Sequence, residues 1–220
     1  MNRKSLLLIT LLTSISVLTK SQSITTASFK ISDREKGIRS IELFLDNNLI
    51  LGLNSKGEIE YIDSNIEKES PYYEDYDATT TGTSGKSDEK IKIYSKLKIT
   101  YYNDFINKGD NGKIKSIEGM PVTYYNDYDM HDPKGAIKSL GNIKFSYYNK
   151  FDMFNDFGAL KSIGPIAFTY YTTFDMHDPK GKVKSIGKVN IKYFNKFDSA
   201  PLFGKIKSIK GNTKALYVTR

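Results

Sequence analysis

The only two histidines of the chain, His131 and His177, stand 46 residues apart within the same pentapeptide, Met130-His131-Asp132-Pro133-Lys134 and Met176-His177-Asp178-Pro179-Lys180. An imidazole beside a carboxylate could serve as acid, base or metal ligand. A catalytic constellation, however, is assembled once from different residues, so a duplicated histidine reads as decoration of a repeated unit. The chain has no cysteine and no phosphate-cradling loop, so no nucleophile or zinc signature is met. The expectation is a non-enzymatic protein with no cofactor. Oxygen ligands do cluster, as Asn126, Asp127, Asp129 and Asp132, as Asn149, Asp152 and Asn155, and as Asp175 and Asp178. Calcium prefers six to eight such oxygens. Their spacing follows no EF-hand or nonapeptide pattern, so calcium binding stands as an alternative only.

A second chemistry comes from lysine and tyrosine. Residues 1–89 carry a net charge of −4 and residues 90–220 a net of +12. A basic surface suits an anionic polysaccharide or other cell-surface polymer, and flat aromatic rows beside lysine suit sugar rings and nucleic-acid bases alike. The residues expected to bind such a polymer are Lys144, Lys150, Lys188, Lys192 and Lys196 with Tyr148 and Tyr171. The competing explanation is that lysine is simply the solvated residue of a sheet face, and that tyrosines hold a thin sheet together as cross-strand pairs.

These residues recur because the chain repeats. Lys115-Ser116-Ile117, Lys138-Ser139-Leu140, Lys161-Ser162-Ile163, Lys184-Ser185-Ile186 and Lys207-Ser208-Ile209 follow one another at a constant step of 23 residues. Glycine, tyrosine and aspartate rows keep the same step, so each unit buries its apolar face against its neighbours. A unit reads as a short strand such as 136–140, a two-residue turn and a longer strand such as 143–148. The turns are Glu118-Gly119, Gly141-Asn142, Gly164-Pro165, Gly187-Lys188 and Lys210-Gly211. A second turn, clearest in Asp132-Pro133-Lys134-Gly135, would close a hairpin that sets Asp129 opposite Lys138, Asp152 opposite Lys161, Asp175 opposite Lys184 and Asp198 opposite Lys207. It also sets Leu140 opposite Ile143 and Gly135 opposite Tyr148. An odd period turns each unit over unless one residue bulges out, for which the Asn103, Asn126, Asn149 and Asn195 row is one candidate. The alternation over 46 residues favours the other solution, units facing alternately.

The fold class is therefore all-β, tandem antiparallel β-hairpin repeats in a meander sheet or hairpin stack, with a β-solenoid-like stack as the alternative. Residues 1–21 read as a cleavable signal peptide, basic at Arg3 and Lys4, apolar from Leu6 to Leu18 and cut after Ser21. The apolar run is short for a bilayer, so a secreted, periplasmic or cell-surface protein without a transmembrane segment in the mature chain is expected. Residues 22–77 read as degenerate capping repeats, because Gly37-Ile38-Arg39-Ser40-Ile41 and Tyr72-Tyr73-Glu74-Asp75-Tyr76-Asp77 echo the unit. Residues 78–89 form a linker and residues 90–220 the array.

A glycine-punctuated, tyrosine-rich antiparallel unit of this length resembles exported tandem β-hairpin repeat proteins, and is nearest the MORN family in period. The likeness covers about 130 residues, and the Gly-x-Gly spacing of that family is absent. What it implies is a binding or structural surface role, the plain alternative being a spacer or assembly element. It carries over no functional residue.

Overall fold

A computed structural model describes residues 22–34, 36–64, 91–103 and 109–220. The expected signal peptide, the linker 78–89 and the Tyr72–Asp77 echo lie outside the described residues. Those described are strands and connections, with one 3-10 turn at Ala200–Leu202. The strands are β1 (Ile24–Ile31), β2 (Ile38–Leu45), β3 (Leu49–Asn54), β4 (Ile59–Ser64), β5 (Lys92–Ile93), β6 (Ile99–Tyr101), β7 (Ile114–Ile117) and β8 (Met120–Tyr124). They continue as β9 (Ile137–Leu140), β10 (Ile143–Tyr147), β11 (Leu160–Ile163), β12 (Ile166–Tyr170), β13 (Val183–Ile186), β14 (Val189–Tyr193), β15 (Ile206–Lys210) and β16 (Leu216–Thr219).

The repeats build a ten-stranded antiparallel meander in strict chain order, β6 to β15. Its hairpins close where the sequence places the turns, at 118–119, 141–142, 164–165 and 187–188. Gly164 has φ +53 and is followed by Pro165, so the first central residue takes the positive φ of a primed turn and the second the negative φ that proline fixes. The fifth expected turn, Lys210-Gly211, closes no hairpin in the array, because the chain leaves that sheet after β15.

All units face the same way, and the device differs from both expectations. Thr123 pairs with Ser139, but Tyr124 pairs with Ile137, so Lys138 is an extra residue on its strand. The same shift skips Lys115, Lys161, Lys184 and Lys207. The bulge thus sits on the lysine row and not on the asparagine row. It explains why the short strands β7, β9, β11 and β13 bury their first and fourth residues, as Ile137 and Leu140 do, where an unbroken strand would alternate.

Residues 24–64 do not sit at an end of the array. They form the four central strands of a second sheet, in the order β16-β1-β2-β3-β4-β5, laid against the inner face of the meander. Phe29 meets Phe168 edge to face at 5.4 Å, and the buried residues of both sheets form one core. The physical reason is that a meander with one apolar face needs a second layer along its whole length, which an end cap does not supply. The segment 90–220 gives both its ends to this second sheet, β5 pairing parallel with β4 and β16 parallel with β1. The Gly37-Ile38-Arg39-Ser40-Ile41 echo is nonetheless the same local structure. Gly37 has φ +74, and Arg39 is skipped between the Lys30–Ser40 and Ile31–Ile38 pairs.

Candidate functional site

Each array unit ends its longer strand on an aromatic pair, Tyr-Tyr in every unit but the last, where it is Tyr193-Phe194, and then runs a connection of about a dozen residues to the next short strand. The first tyrosine points inward. Tyr147, Tyr170 and Tyr193 are buried, and burial pushes all three phenols well above their ordinary range. The second tyrosine ties a unit to its successor. Tyr125, Tyr148 and Tyr171 donate to the backbone oxygens of Phe145, Phe168 and Ile191, at 3.0, 3.0 and 3.1 Å. They stand edge-on to Tyr147, Tyr170 and Tyr193, with ring centres 5.8–5.9 Å apart.

The connection opens with an Asx-type turn. The side-chain oxygens of Asn126, Asn149 and Asn195 accept the amides of Tyr128, Phe151 and Phe197, and the Thr172 hydroxyl accepts that of Phe174. The aspartate three residues on closes the turn from the other side, Asp129, Asp152, Asp175 and Asp198 accepting the amides of residues 126, 149, 172 and 195. The other oxygen of each aspartate meets the bulged lysine, Lys138 at 2.7 Å, Lys161 at 3.1 Å, Lys184 at 2.7 Å and Lys207 at 2.8 Å. Each ammonium also lies 5.2–5.3 Å from the centre of a ring, Tyr125, Tyr148, Tyr171 or Phe194. The lysine hydrogen bond and the backbone amide hold Asp129, Asp175 and Asp198 below the usual carboxylate range, and for Asp152 the Asn149 amide is the larger cause.

These are the pairs that the sequence sets together, but they do not arise as cross-strand neighbours of an Asp132–Gly135 hairpin. The aspartates lie in the connections, outside any strand, and the bulge turns each lysine toward them. Leu140 does stand opposite Ile143, whereas the Gly135 amide donates to Tyr125 and not to Tyr148.

Successive connections touch. His131 lies against Phe151 and His177 against Phe197, both at 4.3 Å between ring centres, and Phe154 against Phe174 at 4.7 Å. The amides of Lys150 and Lys196 donate to the backbone oxygens of His131 and His177. The histidines therefore brace the next unit's aromatic ring, which accounts for the alternation over 46 residues without any change of facing.

This bracing leaves a row of rings at the step of the repeat, Tyr128, Phe151, Phe174 and Phe197, each between 70 and 94% exposed. A parallel row of Met130, Met153 and Met176 is between 70 and 82% exposed, and Phe154, Phe157 and Phe203 extend the apolar rim. The rows could have been found from the sequence by carrying the 23-residue step one position upstream and downstream of the aspartate row.

The expected polymer-binding residues do not converge. Lys144 and Lys192 lie on the outer face of the meander, Lys188 in a hairpin turn at one end, and Lys150 and Lys196 in the connections at the other. Tyr148 and Tyr171 serve the packing just described, and Tyr171 is buried. Among the described residues no group of three or more His, Cys, Asp or Glu gathers as a cation site. At the connection end, a cavity of about 230 Å3 lies where residues 36–38 and 55–56 of the second sheet meet residues 154–160, with Lys36, Lys56 and Lys180 on its wall. Among the described residues no helix is long and apolar enough to cross a membrane. No family model, curated protein or solved structure matches the chain.

Proposed function

We propose that the chain is an exported, non-enzymatic binding module whose contact surface is the rim of long connections. The observation that carries this reading is the exposed aromatic row at residues 128, 151, 174 and 197, each above a turn closed by the side chain of Asn126, Asn149, Thr172 or Asn195. Monomeric soluble proteins rarely leave so continuous an apolar patch uncovered unless it meets a partner. The hydrogen-bonded turn beneath each ring lowers the ordering cost of binding. The anionic-polymer form of the reading draws on the +12 charge of residues 90–220 and would place contact on the outer sheet face instead. The spacer reading requires neither surface.

Retention of the purified protein on intact cells, on a glycan array and on heparin at physiological salt separates the three. Loss of retention in F151A/F174A/F197A supports the rim. Loss in K144Q/K192Q alone moves the contact to the sheet face and the partner to an anionic polymer. A wild-type protein retained by none of them is a spacer.

A further inference from the structure

We propose that the rim docks on an anionic lipid surface, its rings and methionines entering the boundary between headgroups and acyl chains. This inference rests on the rim being the contact surface. Three observations carry it. The first is the chemistry of the tips. The row of Phe151, Phe174 and Phe197 runs beside that of Met130, Met153 and Met176, all at least 70% exposed. A phenyl group offers a sugar hydroxyl no hydrogen bond and a thioether only a weak acceptor. Shallow burial in the interfacial region accommodates both kinds of side chain.

The second is where the charges sit. The carboxylates of Asp129, Asp152, Asp175 and Asp198 are drawn to the base of the connections, 18–22% exposed and each paired with a lysine. The more exposed Asp127 and Asp156 are paired with Lys134 and Lys36. Docking therefore brings no uncompensated carboxylate of these six against the lipid, while Asp132 and Asp178, which pair with no lysine among the described residues, are half-buried.

The third is the cationic fringe. Lys150 and Lys196 are exposed beside Phe151 and Phe197, and Lys56 and Lys180 are exposed at the cavity whose wall also carries Phe154 and Phe157. None of these four lysines has a carboxylate within 4.0 Å among the described residues, so they are available to phosphate groups. Apolar insertion combined with several lysines is the two-signal arrangement that gives stable attachment where either alone is weak.

The test is co-sedimentation of the purified protein with vesicles of phosphatidylcholine alone and of phosphatidylcholine mixed with phosphatidylglycerol. Binding to the mixed vesicles is expected, falling about tenfold for each ring removed from F151A through F151A/F174A to F151A/F174A/F197A. K150Q/K196Q should reduce the preference for phosphatidylglycerol, while K144Q/K192Q on the outer face leaves binding unchanged. Because the chain has no tryptophan, F174W supplies the only indole, and its emission should shift to the blue on the mixed vesicles. Circular dichroism of every variant checks that these surface changes leave the sheets intact. Absence of sedimentation, with retention on cells or a polysaccharide still dependent on the phenylalanines, overturns the lipid assignment and leaves the rim as the contact surface. Sedimentation indifferent to the phenylalanines and abolished by K144Q/K192Q overturns both, and so does a wild-type protein that neither vesicles nor cells retain.

Discussion

The two sheets are made from one local structure used in two ways. In the second sheet, Ile38-Arg39-Ser40-Ile41 and Ile59-Glu60-Tyr61-Ile62 adopt the bulged strand of the array, each with a positive-φ glycine upstream, Gly37 or Gly57. What differs is the connection that leads into the bulged strand. In the second sheet β3 passes to β4 through only residues 55–58, where Asn54 accepts the amides of Lys56 and Glu58 and nothing apolar is displayed. In the array it is three times as long and carries the rings. The bulged hairpin is thus scaffold in both sheets, and the surface offered to a partner is set by the length of the connection.

The comparison is broken most severely by removing what joins the two sheets. Phe29→Ala should cost about 3–5 kcal/mol, because the ring is fully buried against Phe168 and the cavity lies between two rigid layers. Both sheets should melt together in denaturant. A transition in which the array's tyrosine signal survives unshifted would show that the second sheet is an accessory.

A smaller effect sharpens the role of the second tyrosine. Tyr171→Phe keeps the ring and its edge contact with Tyr193 but removes the hydroxyl that reaches Ile191 in the next unit. It should cost about 0.5–1.5 kcal/mol of stability in denaturant titration. The same change at exposed Tyr128 should cost nothing measurable in stability, so equal losses at the two positions would contradict the separation of scaffold from rim.

The smallest effects concern the ion pairs beneath the rim, which have no counterpart at residues 55–58. Asp175 is held below its ordinary range when folded, so its contribution is complete at neutral pH and fades as the pH falls through and below about 4. The melting temperature should drop in that window, less steeply in D175N. A double-mutant cycle on Asp175 and Lys184 should give a favourable coupling of about 0.2–1 kcal/mol, since the lysine is half exposed, and high salt should reduce it. A coupling of zero at low salt would make the Asx turn, and not the ammonium, the reason for the aspartate row.

Much of this was legible in the sequence because a repeat writes local structure many times over. The step of 23 residues and the four hairpin turns follow from spacing, and so do the lysine partners of Asp129, Asp152, Asp175 and Asp198, although a bulge and an Asx turn, and not the expected Asp132–Gly135 hairpin, bring them together. The location of the bulge was also written there, in apolar residues three apart around Lys138, but parity alone did not distinguish it from a bulge at Asn126. The tertiary structure decided three things. It decided that residues 24–64 cover the meander and do not cap it, because an apolar face running the length of ten strands is buried only by a second layer. It decided that Tyr148 and Tyr171 are packing residues while Phe151, Phe174 and Phe197 reach solvent, because exposure depends on which neighbouring loop lies beneath a ring. And it decided that the lysines expected to act together lie on separate surfaces, because sheet face, turn and connection diverge in space however evenly their residues are spaced along the chain.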